Sequence, residues 1–242
     1  MMIEYDYIDC GDCLELMKEI PDKSIDLILC DLPYGTTRNK WDSVIQFEPL
    51  WEQYNRIIKD NGAIVLFGSE PFTSLLILSN LMDFKYRLTW KKDGYTNFLN
   101  AKKQPLRQIE DICVFYKNQP TYNPQFKDGK PYKQLSGIPK GNYDVLHCKK
   151  VETVNDGKRY PTDCVEFGKV KKTVHPTQKP VALLEYLIKT YTNEGDVVLD
   201  NCMGSGSTCV AAVNTGRHYI GFELNEEYYD IACQRLDEVE SR

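Results

Sequence analysis

Short apolar runs alternate with stretches of helical periodicity along most of this 242-residue chain, and that alternation restricts the fold more than any other feature. Runs such as Ile25-Asp26-Leu27-Ile28-Leu29 and Val197-Val198-Leu199 are too short for buried helices and too continuously apolar for strands with one wet face. They predict an α/β fold, a mostly parallel sheet of seven strands with helices on both faces. The expected strands cover 5–9, 25–30, 63–68, 86–91, 111–117, 196–200 and 218–223, and the expected helices 14–19, 47–58, 71–81, 181–192, 207–214 and 226–238. Ala182, Leu183, Tyr186, Leu187 and Tyr191 recur at helical spacing and belong to the core.

Between residues 119 and 172 the pattern dissolves into Pro, Gly, Lys and Tyr without a sustained period. A segment of that length inside an α/β pattern reads as an insertion, functional or disordered, rather than as a second sheet domain. It divides the chain into 1–118, the insertion 119–172, and 173–242. Charge divides the same way. The insertion holds ten Lys and one Arg against six Asp or Glu, a balance of +5; with −5 overall, the remainder carries −10. A basic segment on an acidic body can grip phosphates locally, although a solvated lysine-rich loop has the same composition.

No run reaches the ~18–20 apolar residues that span a bilayer, and the first ten residues are acidic where a secretion signal is basic. A cytoplasmic protein without a membrane partner is expected. The nine cysteines show no disulfide rhythm, which favours reduced thiols. Cys10 and Cys13 form a C-x-x-C with no second pair, and His147, Cys148 and Cys164 lack zinc-site spacing, so no metal is expected.

Two strand ends carry groups that a core does not need. The run ending at Cys30 leads into Asp31-Leu32-Pro33-Tyr34-Gly35: a carboxylate, a stiff turn, an aromatic face and a residue that permits close backbone approach. The run ending at Asp200 leads into Asn201-Cys202-Met203-Gly204-Ser205-Gly206-Ser207-Thr208 and then a helix, whose free N–H groups could meet a ligand. The next strand ends at Glu223, where a carboxylate could accept ribose hydroxyls. A tight helix entry without a ligand would look similar. The spacing fails the dinucleotide fingerprint, because counting from Gly204 its last place falls on Cys209, and Asp200 suits an amine better than a pyrophosphate.

Together these motifs resemble the amino-methyltransferases of DNA, with their Asp-Pro-Pro-Tyr tetrapeptide and glycine-rich cofactor turn. The order here, catalytic motif first, basic insertion next and cofactor motif last, is similar to the circularly permuted beta group. Residues 173–180, Thr-Val-His-Pro-Thr-Gln-Lys-Pro, and 7–17, Tyr-Ile-Asp-Cys-Gly-Asp-Cys-Leu-Glu-Leu-Met, resemble further segments of that group. Leu32 departs from the pattern, standing where the family usually has its first proline.

The resemblance implies a Rossmann-like methyltransferase fold, S-adenosyl-L-methionine as cofactor and duplex DNA as partner. Its substrate would be the exocyclic N6 of an adenine flipped out of the stack, with cytosine-N4 as the alternative. An RNA adenine or a binding module without turnover are further readings. Asp31 and the Leu32 carbonyl would accept the two amino hydrogens, Pro33 stiffen the turn and Tyr34 stack on the base. Asp200, Cys202, Gly204, Ser205, Gly206, Ser207 and Thr208 would form the cofactor turn, Glu223 hold the ribose, Asp12 and Cys13 border the adenine ring, and Lys179 lie near the cofactor carboxylate. DNA contacts are expected from Lys91, Lys92, Asn97 and Lys102 in a lid, and from Lys149, Lys150, Lys171 and Lys172. A homodimer and a restriction endonuclease on a separate chain are the partners that the resemblance allows, and residues 1–118 and 173–242 become the catalytic and cofactor-binding halves of one domain.

Overall fold

A computed structural model describes residues 5–35, 43–135 and 152–241. It divides into two compact units, Met1–Asn123 with Asp163–Arg242, and Pro124–Thr162.

The larger unit is built on β1 (Tyr7–Cys10), β2 (Ile25–Cys30), β3 (Ile58–Gly68), β4 (Phe84–Thr96) and β5 (Arg107–Phe115). The smaller unit holds β6 (Lys127–Asp128), β7 (Tyr132–Leu135), β8 (Glu152–Asn155) and β9 (Lys158–Arg159). The larger unit resumes with β10 (Cys164–Glu166), β11 (Val197–Asp200) and β12 (His218–Glu223). Its eight strands run in the order β1-β12-β11-β2-β3-β5-β4-β10. Pairing is parallel from β1 to β3 and between β4 and β10, while β5 runs antiparallel to both neighbours.

Period-2 alternation along β2 explains why it is continuously apolar from Leu27 to Cys30. Leu27 and Leu29 face one core, with Leu183, Leu187, Val210 and Ala211 of the helices α4 (Val181–Tyr191) and α5 (Ser207–Asn214). Ile28 and Cys30 face the other, with Leu50, Trp51 and Tyr54 of α2 (Phe47–Ile57). A strand with a core on each side needs apolar residues at successive positions. The remaining helices are α1 (Cys13–Leu16), α3 (Phe72–Ser79) and α6 (Glu226–Glu240). In chain order α1 precedes α2, α3 precedes α4, and α6 ends the described chain.

All seven expected strands are present, and the sheet adds an eighth, β10, which lies inside the stretch 119–172. The smaller unit is therefore shorter than that stretch. Its strands form two separate two-stranded ribbons, β6 with β9 and β7 with β8, both antiparallel. Within it Arg159 lies 4.7 Å from the Tyr132 ring centroid and Phe126 packs 4.8 Å from Tyr160. No described helix is long and apolar enough to cross a membrane.

Candidate active site

Strand order brings the two sequence motifs together. β2 and β11 are hydrogen-bonded neighbours, with Leu199 opposite Ile28, so Asp31 and Asp200 leave adjacent strand ends although 169 positions separate them. β12 lies on the far side of β11, and β1 beyond it, so Glu223 and Asp12 emerge at the same edge of the sheet. Ligands of open α/β sheets bind outside such carboxyl ends. A cavity of about 910 Å³ opens there, lined by Asp12, Cys13, Asp31 to Tyr34, Lys179, Asp200 to Ser205, Ser207, Thr208 and Glu223.

The cofactor half is a folded turn held by its own carboxylates. Glu223 accepts the Gly204 amide through Oε2 and the Asn225 amide through Oε1, each at 2.8 Å. Burial pushes its carboxyl up, against the pull of these backbone donors. Asp200 accepts the Cys202 amide at 3.1 Å, and burial raises its pKa to about 6. Gly204 takes φ +53° and leaves the wall open, since a Cβ there would sit 3.4 Å from the His175 ring. Asp12 caps α1, accepting the Leu14 amide at 2.8 Å, and the buried Cys13 thiol receives an Asn201 N–H at 3.5 Å.

Three residues of the turn also meet α6. Gly206 does not line the cavity; at φ +73° a Cβ would meet the Ala232 Cβ at 3.0 Å, so glycine lets α6 pack against the entry to α5. Ser205 and Ser207 line the cavity, and each hydroxyl accepts from Arg235 of α6 at 3.0 Å.

Around Asp31 lies a buried charge cluster. Tyr34 donates to Asp31 Oδ1 at 2.6 Å, and one face of its ring lies on Phe72 with centroids 4.8 Å apart. Leu32 packs its side chain into the core beside Leu50 and Phe72, so any contact with a substrate amine falls to its main chain. Lys179 donates to Asp31 Oδ2 and lies 3.5 Å from Glu110 Oε2, while Lys92 donates to Glu110 Oε1 at 2.7 Å. Burial pushes the Asp31 carboxyl up and outweighs Lys179. At Glu110 burial acts the same way, but Lys179 and Lys92 together bring it below the usual range. His175, pushed down to about 4 by burial and by Lys179, is neutral at pH 7 and accepts the Thr177 amide through Nδ1.

Lysine positions depart from expectation. Lys179 sits between two carboxylates of the catalytic half, where the resemblance points to a cofactor carboxylate. Lys92, expected on a lid facing DNA, is 8% exposed because alternation along β4 turns it inward onto Glu110. Lys91 points out and pairs with Glu166 at 2.9 Å. Asn97, at φ +69°, accepts from Asn100 at 2.7 Å, and its own side-chain amide nitrogen is buried without a hydrogen-bond partner among the described residues. Lys102, Lys171 and Lys172 are exposed; Lys149 and Lys150 lie outside the described residues. Sequence reading missed Glu110 and Asn201. The signal for Glu110 was the carboxylate pair Glu110-Asp111 before the apolar run Ile112-Cys113-Val114-Phe115; Asn201 stood in the turn already singled out but was given no role, and its Oδ1 takes the Tyr54 hydroxyl at 2.6 Å.

The chain is similar to known DNA methyltransferases. The DNA methylase family model of N6/N4 type matches residues 25–234. "DNA adenine methyltransferase YhdJ" of Escherichia coli is 31% identical over 245 residues, covering 94% of this chain and 81% of that protein. "Type II methyltransferase M.HpaI" of Haemophilus parainfluenzae is 28% identical over 243 residues, covering 94% and 73%. Among solved structures, the M1.HpyAVI–SAM complex superposes with a TM-score of 0.64 at 24% identity, covering 94% of this chain and 98% of that one. The cytosine-N4-specific PvuII DNA methyltransferase gives 0.71 at 16% identity, covering 99% and 92%. With two motifs meeting at one cavity and a family match across most of its length, the chain belongs to the N6/N4 DNA methylases.

Proposed function

We propose that the protein transfers a methyl group from S-adenosylmethionine to the N6 of an adenine flipped out of duplex DNA. The observation that carries this reading is the convergence of Asp31 with the turn 203–208 and Glu223 on one cavity. The relative called a DNA adenine methyltransferase, and an aspartate in place of a serine at the head of the motif, favour adenine over cytosine.

The cavity suits the cofactor. Gly204 gives close approach to main chain, Asp200 offers a carboxylate to an ammonium, and Glu223 keeps lone pairs free for ribose hydroxyls beyond its backbone bonds. Bound there, S-adenosylmethionine supplies an electrophilic sulfonium methyl. Asp31 and the Leu32 carbonyl accept the hydrogens of the amino group and let it pyramidalise, which turns a delocalised lone pair into a nucleophile. Asp31 then stabilises the positive charge that grows on that nitrogen, an effect larger in the transition state than in the ground state. The free face of Tyr34 stacks on the base and returns on the order of 1–3 kcal/mol of the unstacking cost.

Asp200 makes cofactor binding pH-dependent. Its free-state pKa of about 6 means that the carboxyl is ionised at pH 7.5 and increasingly protonated below 6, whereas an ammonium partner binds the ionised form. The dissociation constant should therefore be flat near pH 7 and rise by up to about tenfold per unit below pH 6. Titration calorimetry between pH 5 and 7.5 reads this; an affinity constant across that window removes Asp200 from the ammonium.

Methylome sequencing of cells expressing the protein tests the target. Methylated adenine within a defined sequence context is the expected result, and methylated cytosine alone would transfer the assignment to N4.

A further inference from the structure

Asp31 already holds a donor on each oxygen. Its Oδ1 takes the Tyr34 hydroxyl, and its Oδ2 takes the ammonium of Lys179. That ammonium is a cationic N–H donor on the catalytic carboxylate, the same chemistry that the target nitrogen presents once it has gained a methyl group. An ammonium on Asp31 Oδ2 occupies the approach of a second N–H donor to that oxygen, and repels it once that donor becomes cationic. Lys179 therefore competes with the amine for Oδ2, and with its growing charge during transfer, unless it withdraws.

Its alternative is already in place. Glu110 Oε2 lies 3.5 Å from Lys179 Nζ, is buried, and accepts no hydrogen bond among the described residues. Glu110 cannot turn away, because Lys92 holds its other oxygen at 2.7 Å and is itself seated 4.9 Å from the Trp90 ring centroid. The Phe67 ring, 4.9 Å from Lys179 Nζ, favours a cation on the path between the two carboxylates. Main chain around the lysine is braced: the Gln178 amide donates to the His175 carbonyl at 3.2 Å, and Gln178 Oε1 accepts the Val174 amide at 3.0 Å. Movement is thereby confined to the lysine side chain.

We propose that Glu110 is a positioning residue for methyl transfer, a second seat to which Lys179 withdraws so that Asp31 can hold the target amine. This rests on the methyl-transfer reading above. Asp31, Glu110, Lys92 and Lys179 together carry no net charge; when Lys179 settles on Glu110, the pairs Lys92–Glu110–Lys179 leave Asp31 as the uncompensated anion facing the amine. Without the second seat, Lys179 would stay on Asp31 and compete with the amine.

The test is single-turnover methyl transfer to unmethylated plasmid DNA, with protein and S-adenosylmethionine saturating. Four proteins are compared: the parent, Glu110→Gln, Lys179→Met, and the double variant. Glu110→Gln, which keeps the shape of the side chain, should slow the step by about tenfold or more, within the coupling range of contacting residues. Its affinities for cofactor and duplex should stay within about twofold of the parent's, below the threshold of a real coupling. In the Lys179→Met background the same Glu110→Gln change should have no further effect, since the competing ammonium is gone. An equal loss in both backgrounds would show that Glu110 acts independently of Lys179 and would overturn the proposal. Turnover by the parent tests the methyl-transfer reading by itself, and the pattern among the variants tests Glu110.

Discussion

Asp31→Ala should fold, bind cofactor and bind duplex DNA nearly as the parent does, yet lose roughly 10²–10³ in single-turnover rate, the cost of removing one preorganised group aimed at transition-state charge. The expectation that it folds comes from its surroundings. Lys179, which loses its partner on Asp31, still has Glu110 at 3.5 Å and the Phe67 ring at 4.9 Å, so no buried cation is orphaned. Tyr34 loses the acceptor of its hydroxyl but keeps its stacking on Phe72. Asp31→Asn retains an acceptor oxygen without the charge and should fall between the two. A parent-like rate for Asp31→Ala, with DNA saturating, would leave the carboxylate without a catalytic role.

Glu223→Ala should have the second large effect, on cofactor affinity. Both carboxylate oxygens are engaged by main chain, one by the Gly204 amide and one by the Asn225 amide. Removing the side chain leaves ribose hydroxyls unpaired and also releases the turn that forms the opposite wall of the site. A loss of about 1–3 kcal/mol is expected, which corresponds to roughly 5- to 150-fold in the dissociation constant. Because the Gly204 donor is buried, the cofactor-free protein should melt earlier as well. Calorimetry with S-adenosylmethionine, paired with thermal melting, separates the two contributions. Parent-like affinity in a variant with a lowered melting temperature would assign Glu223 to the turn alone.

The sequence disclosed the fold where physical periodicity is local. β2 and β12 begin and end where apolar pattern and turn residues place them, and α5 runs over Ser207–Asn214 as its glycine entry implies. Length set the limit elsewhere. β10 has three residues, too few to show a period, and only its pairing with Thr89 to Lys91 makes it a strand. α2 passes straight into β3 at Ile58, with no turn residue between them to mark the start of the strand. Motifs were legible in the same graded way. Asp31, Asp200 and Glu223 could be found because each ends an apolar run, and a carboxylate at such a place has no use in a core. Partners set by tertiary contact could not. That Arg235 clasps Ser205 and Ser207, that Ala232 makes Gly206 obligatory, and that Lys92 turns inward to Glu110 all depend on elements distant in sequence or on which face a strand presents.

The most direct measurement of the central assignment is nucleoside mass spectrometry after incubation of purified protein with unmethylated DNA and S-adenosylmethionine carrying an isotope-labelled methyl group. Labelled N6-methyldeoxyadenosine, formed by the parent and absent with Asp31→Ala, is the predicted result. Label found solely in N4-methyldeoxycytidine, or equal labelling by the parent and Asp31→Ala, would contradict it.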